Sequence, residues 1–154
     1  ALAKARHASR ATGLPALADD SGVCVHALGG EPGVHSARYA GGAAAGRDDQ
    51  DRRNNDTLLH ALAGAADRRA HYCCVIVLVR HAGDPQPLIA EAEWHGEILL
   101  APRGQGGFGY DPLFLIPESG KTAAELAPDE KNRLSHRGKA LALLVARLRA
   151  LQAA

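Results

Sequence analysis

The segment from His71 to Ala82 constrains the fold most, because it holds the strongest strand signal of the chain, the apolar run Tyr72–Val79. A continuous apolar run of this length is typical of a strand that is covered on both faces of its sheet. A turn sequence, Gly83–Pro87, follows, and Leu88–Leu100 predicts a second strand that pairs with the first as a hairpin. These features predict a central sheet with other elements packed on both sides.

Three helices are predicted around this hairpin. The first is Ala1–Thr12, which Gly13 ends because glycine readily adopts the left-handed conformation of a helix C-terminus. The second is Asp48–Ala66, whose first half, Gln50–Asn55, we interpret as a solvated polar surface. The third begins after Ser135, a predicted cap, and carries apolar residues at helical spacing. The shorter predicted elements are a strand at 113–116, a capping-box pattern at 122–125, and a short helix in which Pro128 takes an allowed first-turn position.

Composition excludes several classes of protein. A chain of 154 residues with 46% hydrophobic content suits one globular domain. Its 18 Lys and Arg against 17 Asp and Glu give a net charge of +1, so bulk attraction to nucleic acid or an anionic membrane is not implied. No apolar run is long enough for a membrane span. Three cysteines without a C-x-x-C pattern predict reduced thiols and a cytoplasmic location, not a disulfide framework or a zinc ribbon.

The first candidate site is Asp19-Asp20-Ser21-Gly22, which separates two short apolar segments, Leu14–Ala18 and Val23–Val25. Adjacent carboxylates raise each other's pKa unless a cation or hydrogen bonds compensate. Mg²⁺ is such a cation, and carboxylates together with substrate phosphates are its usual ligands. The same residue types also form ordinary turns, so a turn and a catalytic site are both open at this point.

The second candidate is the loop Gly104–Asp111, in which four of the first six residues are glycine. Without a Cβ, these residues let backbone N–H groups approach a ligand closely. Phe108 and Tyr110 offer faces on which a base can stack, and Asp111 can accept hydrogen bonds from a base edge. The alternative is a glycine-rich hairpin loop whose aromatic rings fold into the core. The loop matches neither the Walker nor the dinucleotide-binding fingerprint.

The third candidate combines Lys131 with Ser135-His136-Arg137. Arginine offers a planar fork for phosphate, lysine a point charge, and a helix N-terminus additional backbone donors. The alternative is a solvated basic surface on which Ser135 serves only as a helix cap.

Together, these candidates resemble the inosine triphosphatase family, purine nucleoside triphosphate pyrophosphatases that remove non-standard nucleotides such as ITP, dITP and XTP. The resemblance runs over essentially the whole chain. The motifs that carry it are Lys4–His7, Pro15–Gly22, Gly30–Gly33, Ser36–Tyr39, Gly106–Pro112, Gly120–Leu126 and Ser135–Gly138.

The resemblance implies an α/β fold over residues 1–154, with a central mixed sheet flanked by helices and a nucleotide cleft between two lobes. It implies hydrolysis between the α- and β-phosphates, giving a nucleoside monophosphate and pyrophosphate, by a homodimer that needs Mg²⁺. At matching positions, Asp20 is the proton acceptor that activates water and a metal ligand, and Asp19 is its helper. The implied substrate contacts are Ser21, Phe108, Gly109, Tyr110, Asp111, Lys131, His136 and Arg137, the last two close to the purine.

The family pattern also begins with a strand and a Thr/Ser-x-Asn-x-x-Lys phosphate loop, which this sequence does not contain. We therefore expect an N-terminally incomplete member, and a catalytically inactive nucleotide-binding or dimerisation remnant is the alternative function. A second alternative is a protein that binds single-stranded nucleic acid through Phe108 and Tyr110. The balanced charge weighs against it, because such binding grooves are basic.

Overall fold

The computed structural model describes residues 1–152, and its strands form one five-stranded sheet. The strands are β1 (Ala16–Val25), β2 (Arg69–Val79), β3 (Leu88–Ile98), β4 (Phe114–Ile116) and β5 (Lys121–Thr122). They lie in the sheet in their sequence order, and each neighbouring pair is antiparallel. The predicted α/β class with a central sheet is confirmed, and so is the β2–β3 hairpin.

The sheet is antiparallel where a mixed sheet was expected. The β2–β3 and β4–β5 connections are too short for a parallel pair, which needs a crossover of about a dozen residues or more. The β3–β4 connection is longer but returns to the same end of the sheet, since Ile98, the last residue of β3, lies opposite Phe114, the first residue of β4. The longer connection from β1 enters β2 at the end where β1 finishes, since Val25 lies opposite Ala70. Every strand within residues 1–152 therefore runs against its neighbour.

Strand β1 continues through the Asp19–Gly22 sequence, so a turn at this place is wrong. Asp19 lies opposite Ile76 and Asp20 opposite Val75 in the ladder with β2. Pairing along all ten residues of β1 supplies its backbone with hydrogen-bond partners, and this tertiary context overrides the weak local preference of Asp, Ser and Gly for turns.

Four α-helices accompany the sheet in the described residues: α1 (Leu2–Thr12), α2 (Arg47–Ala61), α3 (Pro128–Leu134) and α4 (His136–Gln152). Helix α1 ends at Gly13 with φ 70°, as predicted. Ser135 caps α4, since its Oγ accepts a hydrogen bond from the Gly138 N–H at 3.1 Å. The capping box at 122–125 is also present, but it begins a 3₁₀ helix, Ala123–Glu125. Within residues 1–152, no helix is both long and apolar enough to cross a membrane.

Helices α1 and α4 cover opposite faces of the sheet. Ile76 of β2 packs with Leu144 of α4, whereas its neighbour Val77 packs with Ala5 of α1. Adjacent residues of a strand point to opposite faces, which explains why this apolar run shows no alternation. The prediction of a strand covered on both sides is confirmed here.

The largest group of buried apolar side chains joins α2 to the far end of the sheet. Leu58 of α2 and Leu62, the residue after its last turn, pack in it with Tyr72, Trp94 and Phe114. The Trp94 and Phe114 rings are 5.4 Å apart between centroids. This core holds α2 beside the sheet and leaves an open cleft between α2 and the α3–α4 pair.

Candidate active site in the cleft

The cleft has a volume of about 1350 Å³, which exceeds the ~300–1,000 Å³ of typical small-molecule pockets. Residues from the sheet, from α2 and from α3–α4 line it, together with the loop before β4. Eight of the ten sequence-predicted site residues are among them: Ser21, Phe108, Gly109, Tyr110, Asp111, Lys131, His136 and Arg137. Asp19 and Asp20 are not part of this lining.

The two aspartates of β1 point away from each other, because successive side chains of a strand face opposite sides. Asp19 accepts a hydrogen bond from Arg137 Nε at 2.9 Å, on the side of α4. Ser21, two residues on, accepts one from Arg137 Nη2 at 2.8 Å. Asp20 instead accepts a hydrogen bond from Lys4 Nζ of α1 at 2.9 Å. Arg137 therefore connects Asp19 and Ser21 to the cleft, and Asp20 lies on the other face of the strand.

Asp20 has the compensating cation and hydrogen bond that adjacent carboxylates require, because Lys4 supplies both. Its pKa is lowered, chiefly by the hydrogen bond from Lys4, while partial burial opposes that effect. A hydrogen bond and a nearby positive charge both favour the ionised form of a carboxyl group. Asp20 is therefore a carboxylate at neutral pH and can accept a proton or bind a cation.

Asp111 stabilises the glycine-rich loop through hydrogen bonds of its carboxylate. Its Oδ2 accepts hydrogen bonds from the Phe108 N–H at 2.7 Å and from the Lys131 ammonium group. Its Oδ1 accepts one from the Tyr72 hydroxyl at 3.4 Å. The side chain is buried, so these protein groups occupy the carboxylate that was expected to meet a base edge. A buried carboxylate paired in this way fixes the loop against α3.

The two aromatic residues of the loop have different environments. The Phe108 ring is 49% exposed, with Lys131 Nζ 4.8 Å, Arg47 Cζ 4.9 Å and Arg137 Cζ 6.0 Å from its centroid. Tyr110 is buried in the cleft wall, and its hydroxyl donates to the carbonyl oxygen of Ser36 at 2.8 Å. The Phe108 side chain is thus half-exposed beside cationic groups, whereas the Tyr110 ring packs in the core, as the hairpin-loop alternative expected of both rings.

His136 is a buried, neutral imidazole in the cleft wall. It stacks on Tyr72, with ring centroids 4.6 Å apart and planes 6° from parallel. Burial foremost, and then the charges of Arg137 and Lys131, lower its pKa to about 4. Within the described residues its Nδ1 is buried without a hydrogen-bond partner. In this part of the chain, the nitrogen is an unpaired polar group enclosed in the wall of the cleft.

Sequence reasoning missed the first half of α2, which is not a solvated surface. Asn54 is fully enclosed and donates a hydrogen bond to the Ser36 carbonyl oxygen at 3.2 Å. Asp51 and Asn55 bond to Gly109 of the loop. The signal was helical spacing: Asp51 and Asn55 precede Leu58 by seven and three residues and so share its inward face.

The sequence comparisons with known proteins agree on one family. The model of the Ham1 family matches residues 1–147. The chain is 66% identical over 149 residues to a dITP/XTP pyrophosphatase of Ralstonia nicotianae, covering 97% of this chain and 73% of that protein. It is 68% identical over 145 residues to one of Nitrosomonas europaea, covering 94% of this chain and 69% of that protein.

Solved structures agree with the sequence comparison. A HAM1 protein from Coxiella burnetii superposes with a TM-score of 0.90 at 50% identity, over 97% of this chain and 75% of that one. The Ham1 protein of Staphylococcus aureus gives a TM-score of 0.86 at 40% identity, over 96% of this chain and 73% of that one. With the fold and nearly all of the chain in common, this protein belongs to the Ham1 family.

Proposed function

We propose that this protein hydrolyses non-standard purine nucleoside triphosphates, namely dITP, XTP and ITP, to the monophosphate and pyrophosphate. The observation that carries the proposal is the half-exposed Phe108 ring with three cationic groups within 6.0 Å of its centroid, inside the large cleft. An open aromatic face binds a purine by stacking, and cationic groups beside it bind phosphates. Relatives named dITP/XTP pyrophosphatase support the same substrate class.

Asp20 is our candidate for the proton acceptor that activates water. Its carboxyl group is ionised at neutral pH, the form that a general base needs, and its lowered pKa makes it a weaker base than an ordinary aspartate. Asp19 supports the reaction indirectly, since its carboxylate and the Ser21 hydroxyl hold the Arg137 guanidinium from two sides. This revises the role of Asp19 from a partner of Asp20 to a positioning residue for Arg137.

We further propose that a divalent cation, Mg²⁺, binds at Asp20. Among residues 1–152, no group of three or more His, Cys, Asp or Glu side chains forms a ready metal site. Mg²⁺ nevertheless suits a single carboxylate, because it keeps several water ligands and takes others from substrate phosphates. When bound, such an ion neutralises charge on the departing pyrophosphate. Lys4, which bonds Asp20, is the side chain that has to share the carboxylate with it.

Preference for a 6-oxo purine follows from the donors near the ring. Arg137 carries only donors, and the neutral His136 imidazole always carries one N–H. A donor aimed at the purine 6-position bonds to the oxygen of hypoxanthine or xanthine but opposes the amino group of adenine. A buried polar site that loses its partner in this way rejects the wrong substrate strongly.

The direct test measures pyrophosphate release from ITP, dITP, XTP and ATP with Mg²⁺. We expect hydrolysis of the first three and a much lower kcat/KM with ATP. Removing the metal with a chelator should stop turnover. Binding of ITP without any hydrolysis would contradict the proposal and favour an inactive nucleotide-binding protein.

We also propose that the protein is a cytoplasmic homodimer, as the family resemblance implies. Light scattering of the purified chain should give twice the mass of one chain. The mass of a single chain at micromolar concentration would contradict this part of the proposal.

A further inference from the structure

Two side chains of α2 form hydrogen bonds with one residue of the glycine-rich loop. The Gly109 N–H donates to Asp51 Oδ2 at 2.7 Å, and Asn55 Nδ2 donates to the Gly109 carbonyl oxygen at 2.9 Å. Asp51 and Asn55 are four residues apart, so they lie on one face of the helix one turn from each other. We propose that Asp51 and Asn55 are positioning residues that fix the Phe108 ring for binding of the purine. This inference rests on the proposed function.

The loop needs such support because the close neighbours of the Phe108 ring are the ends of long, cationic side chains. The ring is 49% exposed, so the direction of the ring depends on the backbone that carries it. Gly109 follows at φ 61°, a left-handed conformation, and glycine has more conformational freedom to lose than any other residue. Without the contacts from α2, only the hydrogen bonds between Phe108 and Asp111 would hold this part of the loop within the described residues.

The hydrogen bonds cover both peptide groups that flank Phe108. Its own N–H donates to Asp111 at 2.7 Å, and the next N–H, that of Gly109, donates to Asp51. Asp111 is in turn bonded to Lys131 of α3. The backbone around Phe108 is thus held from the α3 side by Asp111 and from the α2 side by Asp51 and Asn55.

A loop that is already ordered loses less conformational entropy when the ligand binds, so the ligand binds more tightly. Asp20, the candidate base, lies on the opposite face of β1, where it bonds to Lys4 of α1. Loss of the α2 contacts should therefore weaken substrate binding and leave the chemical step nearly unchanged. A rise in KM at constant kcat is the kinetic sign of lost uniform binding.

The test uses Asp51→Ala, Asn55→Ala and the double variant. We expect Asp51→Ala to raise KM for ITP by about 10-fold, with kcat within about 2-fold of wild type, since a hydrogen bond to a charged group is lost. Asp51→Asn should recover most of the loss, because its amide oxygen can still accept from Gly109. Asn55→Asp should be worse than Asn55→Ala, because a carboxylate would face the Gly109 carbonyl. The double variant should fall short of the product of the two single effects, since both side chains hold one residue.

The matched control is Asp56→Ala on the same helix. Asp56 is exposed, and its side chain makes no hydrogen bond or ion pair within the described residues, so its replacement should change neither constant. A KM for Asp51→Ala equal to that of wild type would overturn the inference. So would an equal fall in kcat and kcat/KM, which would place Asp51 in the chemical step.

Amide hydrogen exchange of the free protein is a second test of loop order, and it does not depend on turnover. In Asp51→Ala, the amides of residues 106–111 should exchange at least 10-fold faster, while those of β2 and α4 keep their wild-type rates. Faster exchange throughout the chain would indicate general destabilisation and would overturn the positioning role. If wild type binds ITP but hydrolyses none of the substrates, the proposed activity fails, and ITP titration of the same variants still decides the inference.

Discussion

At the scale of single residues, burial and hydrogen bonding decide which groups of the cleft are charged. His136 is enclosed and stacked on Tyr72, and its pKa falls to about 4. Asp20 is half-exposed and bonded to Lys4, and its pKa falls as well. The histidine is therefore neutral and the aspartate ionised at neutral pH, so the two groups can serve as a ligand contact and a base.

The pKa of His136 predicts a loss of stability in mild acid. The unfolded chain protonates this residue near its ordinary pKa of 6.5, whereas the folded chain does so only near 4. Protons thus bind preferentially to the unfolded state between these values, and the free energy of unfolding falls as pH drops from about 6.5 to about 4. The contribution is at most ~1.4 kcal/mol per pH unit.

Urea unfolding at pH 7 and pH 5 measures this loss. The variant His136→Phe keeps an aromatic ring against Tyr72 but cannot titrate, so we expect it to lose less stability than wild type between the two pH values. The control His60→Phe replaces an exposed histidine and should keep the wild-type pH dependence. An unchanged pH dependence in His136→Phe would contradict the assigned ionisation.

A second prediction separates the two adjacent aspartates. Asp20→Asn removes the proposed base and should lower kcat by about 10²–10⁴-fold, the usual contribution of general acid–base catalysis. Asp19→Asn keeps an oxygen that can accept from Arg137 and should lower kcat/KM by only about 10-fold. Steady-state kinetics on ITP decide, with circular dichroism as a check on folding. Comparable losses in both variants would argue that the carboxylates act as a pair.

At the scale of elements, a neighbouring segment packs directly on β1, the strand that holds Asp19, Asp20 and Ser21. Gly22 of β1 lies against the 3₁₀ helix Gly33–Arg38. Ser36 of this helix accepts a hydrogen bond from the Val23 N–H at 2.9 Å and donates to the Gly33 carbonyl oxygen at 2.6 Å. Close backbone contact at this place holds the strand and the loop together at the floor of the cleft.

Gly22→Ala should therefore destabilise the protein. A Cβ at this position would lie 2.0 Å from the Gly33 carbonyl oxygen and 2.8 Å from Ser36 Oγ, so backbone has to move. We expect a loss of ~1–3 kcal/mol in the free energy of unfolding, as for other overpacked sites. Gly83→Ala is the control, because its nearest neighbour, His81 Nδ1, is 3.8 Å away. Equal stability of the two variants in urea would contradict the predicted clash.

At the scale of the whole molecule, the cleft brings together parts of the chain that are far apart in sequence. Arg137 of α4 reaches Asp19 of β1, 118 residues away, and Asn55 of α2 reaches Gly109, 54 residues away. Each side chain thus joins two elements that border the cleft. Substrate contacts on both sides depend on these long-range hydrogen bonds.

Two cations of the cleft should differ in their effect on selectivity. Arg137→Ala should lower the ITP-to-ATP ratio of kcat/KM by roughly five- to 150-fold, since a donor to the 6-oxo group is lost. Lys131→Ala should weaken both substrates by a common factor, because it frees the buried Asp111 carboxylate and loosens the loop on which any purine stacks. The measurement is kcat/KM on ITP and ATP. A common factor for Arg137→Ala would assign Arg137 to phosphate or sugar.

Local sequence was sufficient for the features that depend on neighbouring residues. Gly13 ends α1, Ser135 caps α4, and Gly83–Pro87 turns the hairpin, because each rests on the conformational preferences and hydrogen bonds of a few consecutive residues. The family motifs likewise indicated which side chains gather around the cleft. Their roles there remain predictions that the experiments above test.

Long-range packing decided the rest. Strand β1 runs through Asp19–Gly22 because β2 pairs with it, and the period of two in a strand then sends Asp19 and Asp20 to opposite faces. The polar half of α2 faces inward because Leu58 and Leu62 anchor the helix in the core. Neither outcome is encoded in a short stretch of residues, since each depends on partners distant in the chain that supply hydrogen bonds and apolar contact only once the molecule has folded.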